Sequence, residues 1–250
     1  MEFKSGNPTL SEKIFNRSLS TTQEGVMTVR GVMNKFGFMF LMMMASAAYT
    51  WHAFEQGQNV SGYLWGGAIG GLVVALIMSF KPTTSPYLAP LYGLLEGLFV
   101  GALSATINFA MADKYPGIII QAVGLTFGAA VAMFLLYNFR IIKVTERFRS
   151  IMFTATAGIA IFYLIAMVLR MFGIDIPFLH EGSALGIGFS LFVIAIAALN
   201  LIMDFDMIER GAESGAPKYM EWFCAFGLLV TIVWLYIEIL RLLSKISSRD

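Results

Sequence analysis

Seven long apolar runs, parted by short polar breaks, set the pattern of this chain. The runs fall at about 34–54, 62–80, 87–111, 117–139, 150–172, 183–208 and 219–243. A bilayer core about 30 Å thick is crossed by roughly 20 residues at about 1.5 Å each. Each run therefore predicts one membrane-spanning helix, and together they predict an all-α bundle. The breaks read "FKPTTSPY", "ADKYPG", "GIDIPFLHEG" and "RGAESGAPK". They are rich in helix breakers and leave no room for a soluble domain. The expected organisation is a cytosolic tail over 1–33, a transmembrane domain over 34–246 and a short tail over 247–250. No internal repeat stands out.

Composition agrees with a lipid environment. The chain is 58% hydrophobic and 13% charged, against about 25% charged in soluble domains. Mean hydropathy is +0.74. A soluble protein of 250 residues has too little interior for that much apolar surface, so the lipid bilayer is the expected partner. A net charge of +1 without a clustered basic face argues against nucleic acid. The single cysteine, Cys224, excludes an internal disulfide and supplies no thiolate cage; no cofactor or metal site is expected. The polar first ~30 residues do not read as a signal peptide, whose apolar segment lies nearer the start.

Orientation follows from Lys and Arg in the breaks. With the N-terminus inside, the inner segments hold 12 of these residues and the outer ones 5. An N-terminus in the cytosol is therefore expected; a re-entrant last run would bring the C-terminus to the same side. Glycines four apart share a helix face and let backbones approach. Gly66 with Gly70, Gly67 with Gly71, Gly97 with Gly101, and Gly124 with Gly128 are the candidates. Tyr49, Trp51 and His52 end the first span, where aromatic residues favour the lipid–water boundary. The run Met42 to Met44 is expected to pack or face lipid. His52 and His180 are expected in solvated loops.

Carboxylates inside apolar runs carry the candidate chemistry. Asp204 and Asp206 close "FSLFVIAIAALNLIMDFDMIERG", and Glu96 interrupts "PLYGLLEGLFVGALS". A charge in a membrane helix costs about 2.5–3.5 kcal/mol on insertion scales, so such residues tend to line a pathway or hold a proton or ion. From helical rise, Glu96 lies about 13 Å into the third span, while Asp204 and Asp206 lie about 7 Å and 4 Å from the end of the sixth. Three carboxylates sharing the inner half of a membrane cannot all stay charged cheaply. A static hydrogen bond for Glu96, a capping role for Asp204 and a solvated helix end for Asp206 are the plainer alternatives. On the seventh run, Glu221 can approach this group, while Glu238 and Arg241 are one turn apart and can pair. No G-x-S-x-G, H-E-x-x-H, P-loop or Rossmann pattern occurs, so an enzyme is not expected.

The seven runs, "ALNLIMDFDMIERG" closing the sixth, and "WLYIEILRLLSKISSRD" closing the chain resemble the Bax inhibitor-1/YccA family, also called the transmembrane Bax-inhibitor-motif family. "PLYGLLEGLFVGALS" looks like a longer-tailed bacterial branch. The resemblance implies a seven-helix bundle with the last helix central, in the bacterial cytoplasmic membrane. It also implies a pH-sensitive calcium leak, with transient Ca²⁺ and protons as partners, sensed by one aspartate on the sixth helix and one on the seventh. The first matches Asp204. The second, counted back from Arg241, falls at Thr231, which cannot titrate. The basic latch of the family's second helix has no counterpart in "GYLWGGAIGGLVVALIMSF". Asp206, Glu96 or Glu221 is left to stand in for the missing aspartate. The alternative implied by the resemblance is a regulator that binds other membrane proteins, such as a membrane protease.

Overall fold

A computed structural model describes residues 25–176 and 182–247. Its long helices are α1 (Val29–Glu55), α2 (Ser61–Phe80), α3 (Ser85–Ala110), α4 (Ile118–Asn138), α5 (Glu146–Met171), α6 (Ala184–Glu213) and α7 (Met220–Ser247). A single 3-10 turn, Pro82–Thr84, leads into α3. All seven are long and apolar enough to cross a membrane. The expected all-α, seven-helix architecture is what the chain forms. The tail residues 1–24 and 248–250, and His180, lie outside the described residues.

Three of the boundaries that differ from the hydropathy pattern have a local reason. α1 starts at Val29 rather than near 34, because Thr28 caps it: its Oγ1 accepts from the Gly31 amide at 3.0 Å. α5 starts at Glu146, where Thr145 accepts from the Phe148 amide at 3.2 Å. α6 runs on through Glu209 and Arg210 to Glu213, since charged residues end a membrane span without ending a helix. Gly215 then takes φ +71°, the left-handed conformation that reverses the chain into α7. His52, expected in a loop, occupies the last turn of α1 and is exposed there.

Burial separates α7 from the rest. Of its most apolar stretch 78% is buried, against 17–50% in the other six. A helix buried on nearly all of its faces is a core helix, and α7 is the most buried of the seven. The others present large apolar side chains outward, among them Leu41, Trp65, Ile69, Ile120 and Leu164. Without water at this depth, such a surface is what lipid requires rather than a liability. Of the methionine run, Met43 is buried and Met44 exposed.

The chain forms two compact units. The first comprises 25–109 and Asp204–Val230, the second 110–203 and 231–247. Close backbone contact organises the first. Ideal Cβ atoms at Gly93, Gly97 and Gly101 of α3 would run into the Met39, Met43 and Ala47 carbonyls of α1. Both sets step by four residues in the same direction, so α1 and α3 run parallel along one glycine seam. On the other side, a Cβ at Gly67 of α2 would lie 2.6 Å from the Leu95 carbonyl oxygen. Gly97–Gly101 and Gly67–Gly71 are thus true packing pairs. Gly66, Gly124 and Gly128 have nothing within 4 Å of an added Cβ, so the spacing there marks no contact. The second unit packs Met152 and Ile159 of α5 against Val193, Ile196 and Met203 of α6, with Trp234 of α7 beside them.

Candidate functional site

Every carboxylate singled out in the sequence is withdrawn from the surface. Asp204 is 0% exposed, Asp206 7% and Glu96 9%. The first unit contains all three, together with Glu221.

Glu96 sits in the middle of α3, one turn after Tyr92. That spacing puts both side chains on one helix face, and the buried Tyr92 hydroxyl donates to the carboxylate. The Tyr92 ring is fixed edge-on to Phe226 of α7, with centroids 4.7 Å apart. On the side away from the glycine seam, Gly71 of α2 leaves space for Glu96: a Cβ there would lie 3.2 Å from Oε2. Glu96 is therefore held by α3, bounded by α2 and linked through one aromatic ring to α7.

Asp204 and Asp206 point differently because they are two residues apart on a helix. Asp206 pairs with Arg210, whose Nε lies 2.9 Å from Oδ2. This i,i+4 pair is only partly screened by water, since Arg210 is 30% exposed. The sequence left open a solvated helix end for Asp206; it is buried instead, and α6 continues for seven residues beyond it. Asp204 is enclosed, and Cys224 of α7 lies within electrostatic reach of both Asp204 and Glu221. One turn before Asp204 on the same face of α6, Asn200 is also buried. Its Nδ2 donates to Thr156 Oγ1 and to the Ile196 carbonyl, both at 2.9 Å.

Glu221 makes the densest contacts. It is 0% exposed and paired with Lys35 of α1 and, at 2.8 Å, with Lys218. Its Oε1 also accepts from the Thr28 amide and hydroxyl, each at 3.0 Å. The segment before α1 is drawn into the same place. The Met27 amide donates to the Ala216 carbonyl at 2.7 Å, and Val26 pairs with Pro217. Gly31 is part of this arrangement, because any Cβ there would occupy the Glu221 carboxyl.

In the second unit, Glu238 and Arg241 do pair, at 3.1 Å. Tyr163 of α5 completes the group: its hydroxyl donates to Glu238 at 3.0 Å and accepts from Arg241 Nη1 at 2.6 Å. Thr231 is buried in α7. Lys245, 3% exposed, donates to the Gly186 carbonyl and Ser190.

Among the described residues, no three His, Cys, Asp or Glu side chains converge as a metal-holding group. The carboxylates of the first unit act through separate partners instead: Tyr92 for Glu96, Arg210 for Asp206, and two lysines and Thr28 for Glu221. Three of these partners, Tyr92, Arg210 and Lys218, are three or four residues away in sequence. Lys35 and Thr28 lie 186 and 193 residues from Glu221, and no local pattern announces them. Tyr163 and Lys245 were missed for the same reason.

A family model described as Bax inhibitor 1 like matches residues 7–248. Comparison with curated proteins and with solved structures returned no match.

Proposed function

The chain belongs to the Bax inhibitor 1 like family and is an integral membrane protein, and from this and its enclosed carboxylates we propose that it is a proton-responsive cation leak pathway, with calcium the first candidate ion. The observation that carries the reading is Asp204, a carboxylate with 0% exposure that follows the long apolar stretch of α6. A cation can reach it only if the packing around α6 changes, so the described arrangement is a closed one. Adding or removing a proton at such a group alters its electrostatic interaction with everything around it by amounts large enough to reset helix packing. Glu96 is the second group of this kind in the same unit and takes the place that Thr231 cannot fill.

Hard oxygen donors suit a hard divalent cation, and carboxylates reached in passing rather than gathered around a resident ion suit a leak. The role is one of passage rather than of catalysis. The proposed setting is the bacterial cytoplasmic membrane with the N-terminus in the cytosol, from the 12 to 5 bias of Lys and Arg. A reporter fused within "RIIKVTERFRS" should then read as cytosolic, and an external signal there would reverse the orientation.

The flux reading is tested with purified protein in liposomes loaded with a calcium indicator. The wild-type chain should pass calcium in a pH-dependent manner. Asp204→Asn keeps the shape and removes the titrating charge, so its pH response should flatten. Glu96→Gln should do the same to a comparable degree. If the liposomes stay tight, or if both variants keep the wild-type pH response, the carboxylate-gate reading is wrong and binding to other membrane proteins becomes the better account.

A further inference from the structure

Away from those carboxylates, the second unit has a pocket of about 170 Å³ at one end of α5 and α7. Its lining includes Tyr163, Met167, Arg170, Asp175, Ile176 and Arg241. That volume is well below the roughly 300–1,000 Å³ of a site for a drug-sized molecule; it suits a small headgroup. One wall is apolar, through Met167 and Ile176. The other presents two guanidinium groups, Arg170 at 70% exposure and Arg241 at 36%.

Arg241 is pre-positioned. Its guanidinium stacks over the Tyr163 ring at 4.9 Å. Its bonds to Tyr163 and Glu238 all come from one nitrogen, Nη1, of a group with five N–H donors. The local charge balance favours an anion. Glu238 is matched against two cations, since Lys245 acts on the same carboxylate as Arg241. Asp175 meets Arg170 at only 3.7 Å, with both side chains about 70% exposed. An ion pair of that kind is worth about 0–1 kcal/mol and yields readily to a stronger partner. A planar guanidinium recognises phosphate by paired hydrogen bonds, and basic pockets at the ends of membrane helices suit lipid headgroups.

We propose that this pocket binds the phosphate of an anionic amphiphile, with Arg241 as the buttressed contact, Arg170 as the exposed one, and the apolar wall receiving the adjoining chain. The shared chemistry is a phosphate anion, and a phospholipid headgroup or free phosphate can supply it. The site is independent of the flux reading above.

The test is the thermal unfolding midpoint of the purified full chain in neutral detergent, titrated separately with phosphatidylglycerol, phosphatidylcholine and inorganic phosphate. Phosphatidylglycerol should raise the midpoint saturably, and phosphatidylcholine should not. Arg170→Gln should raise the half-saturating lipid concentration about tenfold, the loss of one charge-assisted contact. Arg170 is exposed, so this variant should fold normally; Arg241→Gln, which also unpairs Glu238, serves as the second variant. Lys114→Gln, in the break after α3, should leave the titration unchanged. If inorganic phosphate matches phosphatidylglycerol, the phosphate site stands and its ligand is soluble. The proposal is overturned if neither anion shifts the midpoint, if phosphatidylcholine shifts it equally, or if Lys114→Gln weakens binding as much as Arg170→Gln does.

Discussion

Lys35→Met combined with Lys218→Met should destabilise the protein by about 3–5 kcal/mol, the range for stranding one member of a buried ion pair. Glu221 would then remain enclosed at 0% exposure with only Thr28 as a described partner. The reciprocal change should cost much less. Glu221→Gln keeps an oxygen for the Thr28 amide and removes the buried charge. The two lysines it releases are 19% and 47% exposed, so their ammonium groups reach water along flexible stems. A cost of about 1–2 kcal/mol, that of weakened hydrogen bonds, is expected. Denaturant titration of the three proteins in one detergent gives the order. If Glu221→Gln proves the more damaging, the carboxylate matters for a reason other than its burial.

The same substitution should have opposite signs at two glycines. Gly97→Ala places a methyl group against the Met43 carbonyl and Ser46 of α1. Those atoms belong to a helix backbone and to a side chain already bonded to the Met42 and Met43 carbonyls, so neither yields without moving α1. Overpacking of this kind costs about 1–3 kcal/mol, and Gly97→Leu should prevent assembly of the seam. Gly124→Ala meets open space. There the substitution only removes the conformational freedom of glycine in a helix, a gain of about 0.5–1 kcal/mol. Thermal unfolding followed by far-UV circular dichroism reads both. A loss at Gly124 matching that at Gly97 would mean that the glycine seam is not what joins α1 to α3.

This contrast shows what a sequence can and cannot disclose. The seven spans were legible because an apolar run of membrane length has few other uses, and the cost of a buried backbone group leaves helix as its form. Spacing by four identified the glycines able to form a seam. It could not tell Gly97, against α1, from Gly124, against no described atom, because the difference belongs to the neighbour. Gly93, the third member of the seam, was missed because its partner glycine in the four-residue pattern is Gly97, already assigned to Gly101. Glu96 and Asp204 were legible as buried because an ionisable residue in an apolar run is costly, whereas a solvated helix end stayed open for Asp206. Of the carboxylates' partners, only Arg241, one turn from Glu238, was read from the sequence; Arg210, also one turn from Asp206, was not. Hydropathy placed the end of the sixth span near 208, where the membrane pattern stops, while α6 continues to Glu213.

The bonds of Thr28 to Glu221 span 193 residues, and this separation bears on how the chain is made. Protein synthesis runs from the N-terminus, so α1 is complete long before its partner exists. Thr28 and Lys35 must wait in the membrane interface while five further helices are inserted. Only when the start of α7 emerges does a carboxylate arrive to engage them, and Ala216 to receive the Met27 amide. Closing so long a loop is entropically slow, and it joins the first helix to the last. The finished contact thus reports that the whole series of helices has been delivered, and a ribosome that stops before α7 releases a product in which this junction cannot form.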